Sequence, residues 1–276
     1  MEHCSLSHIV FAFLSFSLLG VICGILSGML GIGGGIVVIP GLFILLVCFG
    51  IPGEYLMHFA IGTSLAIMIC TSTVNAYSHL KKGNVIWPII KIMVPFAVIG
   101  VTTGALLMSV TSSKILSLSF GFFLLFISLD IFFDLTRNIL PVHVKIKKGV
   151  FRLLGLAIGF FSGLLGIGGG AICIPLFFYC RIQARRCIGT SAMLIFPIAL
   201  VGALISALNI GRGVSGISFS LGFIYLPAFI LVALFSIISV PIGVSLLSKL
   251  SNKTVKKIFA VFLAIVAFNM ITWTKI

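Results

Sequence analysis

The stretches SGMLGIGGGIVVIP (Ser27–Pro40) and SGLLGIGGGAICIP (Ser162–Pro175) each set three consecutive glycines inside an apolar run. Gly33, Gly34 and Gly35, and again Gly168, Gly169 and Gly170, allow close approach to the backbone and dihedrals that other residues avoid. A glycine-rich turn opening a helix leaves N–H groups free and aims the positive end of the helix dipole the same way. That is the chemistry of an anion site. Each dipole end contributes about 1–2 kcal/mol when partly buried, which suits an anion that must leave again. A purely structural turn is the competing reading. The pattern is not the dinucleotide GxGxxG, and no strand precedes it.

Other residues offer weaker chemistry. The motif IGTS occurs at Ile61–Ser64 and at Ile188–Ser191. The hydroxyls of Thr63, Ser64, Thr190 and Ser191 can donate to an oxyanion or bond back to their own helix. Asn75 and Asn209 are polar groups in apolar helices, where they line a pathway or join helices. Asp130 and Asp134, with Arg137 nearby, read as an interfacial cluster rather than a proton relay. His58 and His79 lie near segment ends and also read as interfacial. The seven cysteines form no CxxC pair, and no His lies at ligand spacing. Neither a metal nor a cofactor is called for. No intramembrane Ser–His, His–Glu or paired-carboxylate set recurs at helical spacing, which argues against an enzyme.

The elements that must hold these residues are set by composition. Of the 276 residues, 61% are hydrophobic and only 8% charged. A soluble domain cannot cover itself with so little charge. Ten apolar segments follow one another, at about 7–30, 36–50, 55–79, 86–110, 115–136, 150–166, 170–180, 187–209, 218–248 and 254–273. The first reads as a helix rather than a cleaved signal, since no Lys or Arg precedes it.

The net charge of +14 could mean nucleic acid, but the basic residues fall between apolar segments. If the chain reverses at every break, one side receives 14 Lys and Arg, from Lys81 and Lys82 to Lys256 and Lys257, and the other only Lys114, Arg212 and Lys275. That split puts the basic loops in the cytoplasm of an inner-membrane, multi-pass protein, with both termini outside. The partners are then a lipid bilayer and a small anionic substrate, not nucleic acid. KKGNVIW at Lys81–Trp87 reads as a cytoplasmic turn with an interfacial tryptophan.

Residues 20–40 and 155–175 align without gaps, with 12 identities in 21. Two halves, 1–140 and 141–276, therefore each hold five segments. Five is odd, so the second half sits upside down. The fold class expected is an all-α polytopic membrane protein of two inverted repeats, each opening with a glycine-rich broken or re-entrant hairpin. Gly20, Gly24 and Gly28, and Gly155, Gly159 and Gly163, are spaced by four as a helix-packing seam. The segment after each GIGGG turn is short. Ile167 to Cys180 reaches about 21 Å, less than the roughly 30 Å hydrocarbon core. The glycine turns must then lie inside the bilayer, where irregular backbone needs protein or a polar cavity around it. Such repeats favour alternating access, with substrate held between the two helix N-termini.

The twin GxxSGxLGIGGGxxxxP copies, IGTS, and HLKKGNVIW at His79–Trp87 together resemble the sulfite exporter TauE/SafE permeases over nearly the whole chain. NIGRG at Asn209–Gly213 departs from KKGNV, so a symmetric role for His79 does not carry over. The resemblance implies transport of sulfite, sulfoacetate or other organosulfonates. Residue chemistry alone reaches a small oxyanion, moved outward. It leaves open proton-coupled uptake of an anion or another metabolite, and a passive anion channel.

Overall fold

The computed structural model describes residues 6–30, 33–133, 148–179, 182, 184–208, 217, 219–247 and 252–273. Among these lie ten α-helices: α1 Leu6–Leu30, α2 Gly35–Cys48, α3 Leu56–Lys81, α4 Trp87–Val110, α5 Ser113–Phe133, α6 Lys148–Leu165, α7 Gly170–Tyr179, α8 Ala184–Leu208, α9 Leu226–Leu247 and α10 Asn252–Trp273. Seven are long and apolar enough to cross a membrane. The chain is an all-α polytopic membrane protein. Asn209, Asp134 and Arg137 lie outside the described residues.

One expected segment divides. Residues 218–248 read as one apolar run, but α9 starts only at Leu226. Before it, Ser220–Leu221 pairs antiparallel with Ile224–Tyr225 in a small hairpin. Gly222 has φ +55° and Phe219 φ +62°, values that a continuing helix cannot hold. Hydropathy alone does not register such a turn, because Phe223, Ile224 and Tyr225 are as apolar as a helix.

The outer helices turn large apolar side chains outward, while the interior mixes apolar packing with buried hydroxyls. Leu14, Phe126, Leu153, Ile238 and Phe268 stand exposed on α1, α5, α6, α9 and α10. Large apolar surface on this scale belongs against lipid. The central helix α3 is the opposite, with 78% of its spanning window buried. Its inner surface carries Thr63, Ser64, Thr71, Ser72 and Asn75, all buried. With lipid as solvent, the hydrophobic effect no longer sorts residues, and small or hydroxyl side chains hold the helices together.

The glycine seam falls where its spacing puts it. Gly155 packs on Met93, Gly159 on Ala97 and Gly163 on Val101, so α6 runs parallel along α4 with backbones touching. Gly20 packs on Val232 and Phe235, Gly24 on Ser236 and Ser239, and Gly243 on Ile25, so α1 runs parallel along α9 in the same way. Hydroxyls add cross-links between helices. Ser236 Oγ donates to the Gly20 carbonyl (2.9 Å). On the antiparallel pair α5 and α10, Ser128 Oγ donates to Ala260 O (2.7 Å) and Ser117 Oγ to Met270 O (3.1 Å).

The larger interfaces have a common rule. Helices α1 and α9 pack together, as do α6 and α4; α4 packs on α8, as α9 does on α3; α2 packs on α3, as α7 does on α8. The pairs α3–α8 and α5–α10 complete the set. Exchanging the first five helices for the last five turns the first six of these pairs into one another and returns α3–α8 and α5–α10 to themselves.

Replacement of Gly159 by Leu would drive a side chain into the Ala97 backbone. Overpacking of this kind costs about 1–3 kcal/mol, so the melting temperature of the detergent-purified protein falls. The same change at Gly149, which meets nothing within 4 Å, leaves it unchanged or higher.

Candidate functional site

The two glycine turns are built alike. Gly33 and Gly34 have φ +81° and +82°, and Gly168 and Gly169 have φ +78° and +71°. Two consecutive left-handed residues reverse the chain between an incoming and an outgoing helix, and only glycine takes them without strain. The Gly34 carbonyl then accepts from Val37 N and Val38 N, both at 2.9 Å. The Gly169 carbonyl accepts likewise from Ile172 N (3.1 Å) and Cys173 N (2.9 Å). These bonds start α2 and α7. They leave the N–H groups of residues 33–36 and 168–171 with no acceptor among the described residues.

The turns meet in the middle of the protein. Gly33, Gly34, Gly35 and Gly166 to Gly170 are all buried. A Cβ on Gly35 would lie 2.5 Å from the Gly166 carbonyl and 3.0 Å from that of Ile167, so the first turn rests on the backbone of the second. Ser64 Oγ donates to the same Gly166 carbonyl (3.1 Å), tying α3 to it. Gly33 and Gly168 face one pair of side chains, Met68 of α3 and Ile195 of α8. Met68 stands seven residues after Ile61, and Ile195 seven after Ile188, so the two occupy one register of the repeated IGTS helices. The space between the turns, where substrate is expected from sequence, holds these two apolar side chains.

The other candidates divide. Thr63 Oγ1 accepts from Tyr225 N (3.0 Å), the residue before α9. Thr190 Oγ1 accepts from Ile86 N (3.1 Å), the residue before α4. Gly62 and Gly189 pack on the Phe223 and Asn84 carbonyls in the same two places. IGTS therefore seats the start of the opposite half's fourth helix, with its glycine giving room and its threonine an acceptor. Ser191 is fully buried, and its Oγ has no hydrogen-bond partner among the described residues. Asn75 is buried on α3, but eleven residues beyond Ser64 and so about 16 Å further along the helix. It does not join the turns.

Two serines of the repeated stretches, Ser27 and Ser162, stand beside the glycines. Ser27 and Ser162 are buried, and neither Oγ has a hydrogen-bond partner among the described residues. Their signal in the sequence is identity at both copies, which packing glycines share. His58 is also placed differently from expectation. It is buried, and its Nε2 bonds the Thr111 carbonyl (3.0 Å) while its ring lies 5.0 Å from that of Phe223. The end of α4 leaves carbonyls without helical donors, and a histidine answers one of them. Among the described residues, no three His, Cys, Asp or Glu side chains are grouped for a metal.

Thr63→Val and Thr190→Val keep the volume but remove the acceptor for one helix-start N–H each. An unmade buried bond costs about 1–3 kcal/mol. Both variants should lower the melting temperature in detergent, by comparable amounts.

Comparison with known proteins agrees with this architecture. The family model described as "Sulfite exporter TauE/SafE" matches residues 16–270. A Haemophilus influenzae protein is 32% identical, over 95% of this chain and 99% of its own. A Methanocaldococcus jannaschii protein is 31% identical, over 92% and 93%. A Bacillus subtilis protein, YdhB, is 35% identical, over 66% and 73%. All three carry the name "Probable membrane transporter protein". No solved structure matches the chain. With a matching model over nearly its full length and relatives that it covers end to end, the chain belongs to the sulfite exporter TauE/SafE family of membrane transporters.

Proposed function

We propose that this transporter moves small sulfur-containing oxyanions, sulfite or organosulfonates, outward across the cytoplasmic membrane by alternating access, with residues 1–140 and 141–276 as inverted repeats. The observation that carries the anion is the run of N–H groups at 33–36 and 168–171, buried at the centre of the bundle and without acceptors among the described residues. In hydrocarbon, a group of this kind costs several kcal/mol unless something accepts from it. An oxyanion does so with every oxygen, and a cation cannot. All of Gly33, Gly34, Gly35, Gly168, Gly169 and Gly170 belong to this site, with Ser64 holding it to α3. The sulfur is supplied by the family description and by nothing in the geometry.

The exchange of helix pairs between the two sets of five supports two equivalent halves. Five segments to a half, an odd number, favour opposite insertion, which lets one half's arrangement on one side become the other's on the opposite side. The packing of Met68 and Ile195 between the turns favours a gated carrier over an open channel. Direction follows from charge. The inside-negative potential drives an anion out by about 2.3 kcal/mol per charge per 100 mV, whereas uptake would need a coupled cation.

Counterflow in proteoliposomes tests the reading. Protein loaded with sulfite should accumulate labelled sulfite or sulfoacetate from outside, and excess phosphate should compete weakly. Uptake that never saturates and shows no counterflow would replace the carrier with a channel. Orientation is checked in intact cells. A cysteine placed at Lys82 should resist a membrane-impermeant thiol reagent until the membrane is opened; labelling from outside would reverse the sidedness.

A further inference from the structure

Most hydroxyls in these helices bond back to a carbonyl three or four residues earlier. Thr102 does so to Val98, Ser109 to Leu106 and Ser206 to Gly202. Ser27 and Ser162 have the same option and take no partner among the described residues, although 2% and 0% exposed. They occupy the same position of the two repeats, seven residues before Gly34 and Gly169. Each also lies directly against its glycine. Ser27 Oγ is 3.6 Å from where a Cβ of Gly34 would be, and Ser162 Oγ 3.0 Å from that of Gly169. Ser17 is unpartnered too, but Arg152 stands at its counterpart position and no free turn N–H is near it in sequence.

Each serine thus adds an O–H donor to the free N–H groups of the turn that follows it. The two donor sets are kept apart. Where the turns touch, the Gly166 and Ile167 carbonyls face Gly35, and carbonyl oxygens repel an anion. Where Gly33 and Gly168 approach each other, Met68 and Ile195 fill the space. Neither junction suits an anion shared by both turns, while the serine side of each turn brings a hydroxyl against its glycine, beside the Cys23 carbonyl at Gly34 and the Ile158 and Ile198 side chains at Gly169.

We infer that the protein carries two oxyanion half-sites, one formed by Ser27 with the N–H groups of residues 34–36 and the other by Ser162 with those of residues 169–171. The inference rests on the anion reading above and adds the hydroxyl donors and the number of sites. Neutral donors match a singly charged trigonal or tetrahedral oxyanion, and the hydroxyl distinguishes it from a halide by adding a directional bond.

Equilibrium binding of sulfite and of its heavier analogue selenite to the purified, ligand-free protein tests this. The wild type should bind two anions per chain. Ser27→Ala should weaken one site at least tenfold and leave the other. Ser162→Ala should do the reverse, and the double variant should lose both. Ser27→Cys and Ser162→Cys, which keep the volume but weaken the donor, should follow the same order. Removal of an unpartnered hydroxyl should not lower the melting temperature of the ligand-free protein, so weakened binding with an unchanged elution profile reports the site itself. Ser17→Ala should bind as wild type. One anion per chain, weakened by either serine change, would overturn the two half-sites. Two anions unaffected by both changes would overturn the serines while leaving the anion reading. A wild type that binds neither anion would remove the anion reading and this inference together.

Discussion

A backbone N–H inside hydrocarbon has no water to turn to, and this constraint organises the centre of the molecule. Two consecutive left-handed glycines let each chain reverse there, and the carbonyls of Gly34 and Gly169 start the next helix at once. The reversal leaves a cluster of N–H donors at each turn. Elsewhere in the protein the loose ends of helices are answered by named groups. Thr63 and Thr190 accept from the helix starts at Tyr225 and Ile86, and His58 meets the Thr111 carbonyl. At the turns, the N–H groups of residues 33–36 and 168–171 have no acceptor among the described residues.

The same residues connect site and scaffold. IGTS does not sit in the donor cluster as a unit. Its threonine holds the opposite half's fourth helix, and Ser64, one residue on, holds the Gly166 carbonyl. A shift of α3 therefore moves the second turn and the start of α9 together. Met68, one turn further along, lies against both Gly33 and Gly168. Motion of α3 against α8 would change what separates the turns, the coupling that the proposed alternating access needs. The glycine seams of α1 on α9 and α4 on α6 are parallel contacts of backbone on backbone. They join the first five helices to the last five.

Much of this was legible from residue order. Apolar length and sparse charge gave the spanning helices. The four-residue glycine spacing gave the packing seams, because close approach needs missing side chains in a fixed helical row. The doubled GIGGG gave the turns. Four features were not legible, each for a physical reason. The hairpin Ser220–Tyr225 is as apolar as a helix, so hydropathy does not mark it. The roles of Thr63 and Thr190 depend on partners 162 and 104 residues away, which no local pattern records. Ser27 and Ser162 were visible as identities, but a repeated serine acquires meaning only when its hydroxyl is found without a partner. Met68 and Ile195 differ in type while filling equivalent places, so a comparison by identity passes over them.

Anomalous diffraction or difference density from the protein with selenite bound addresses the central claim most directly, since selenium reports its own position. The account predicts selenium beside both glycine turns, within hydrogen-bonding reach of Ser27 Oγ at one and Ser162 Oγ at the other. Selenium bound elsewhere in the bundle, with both turns vacant, would contradict it.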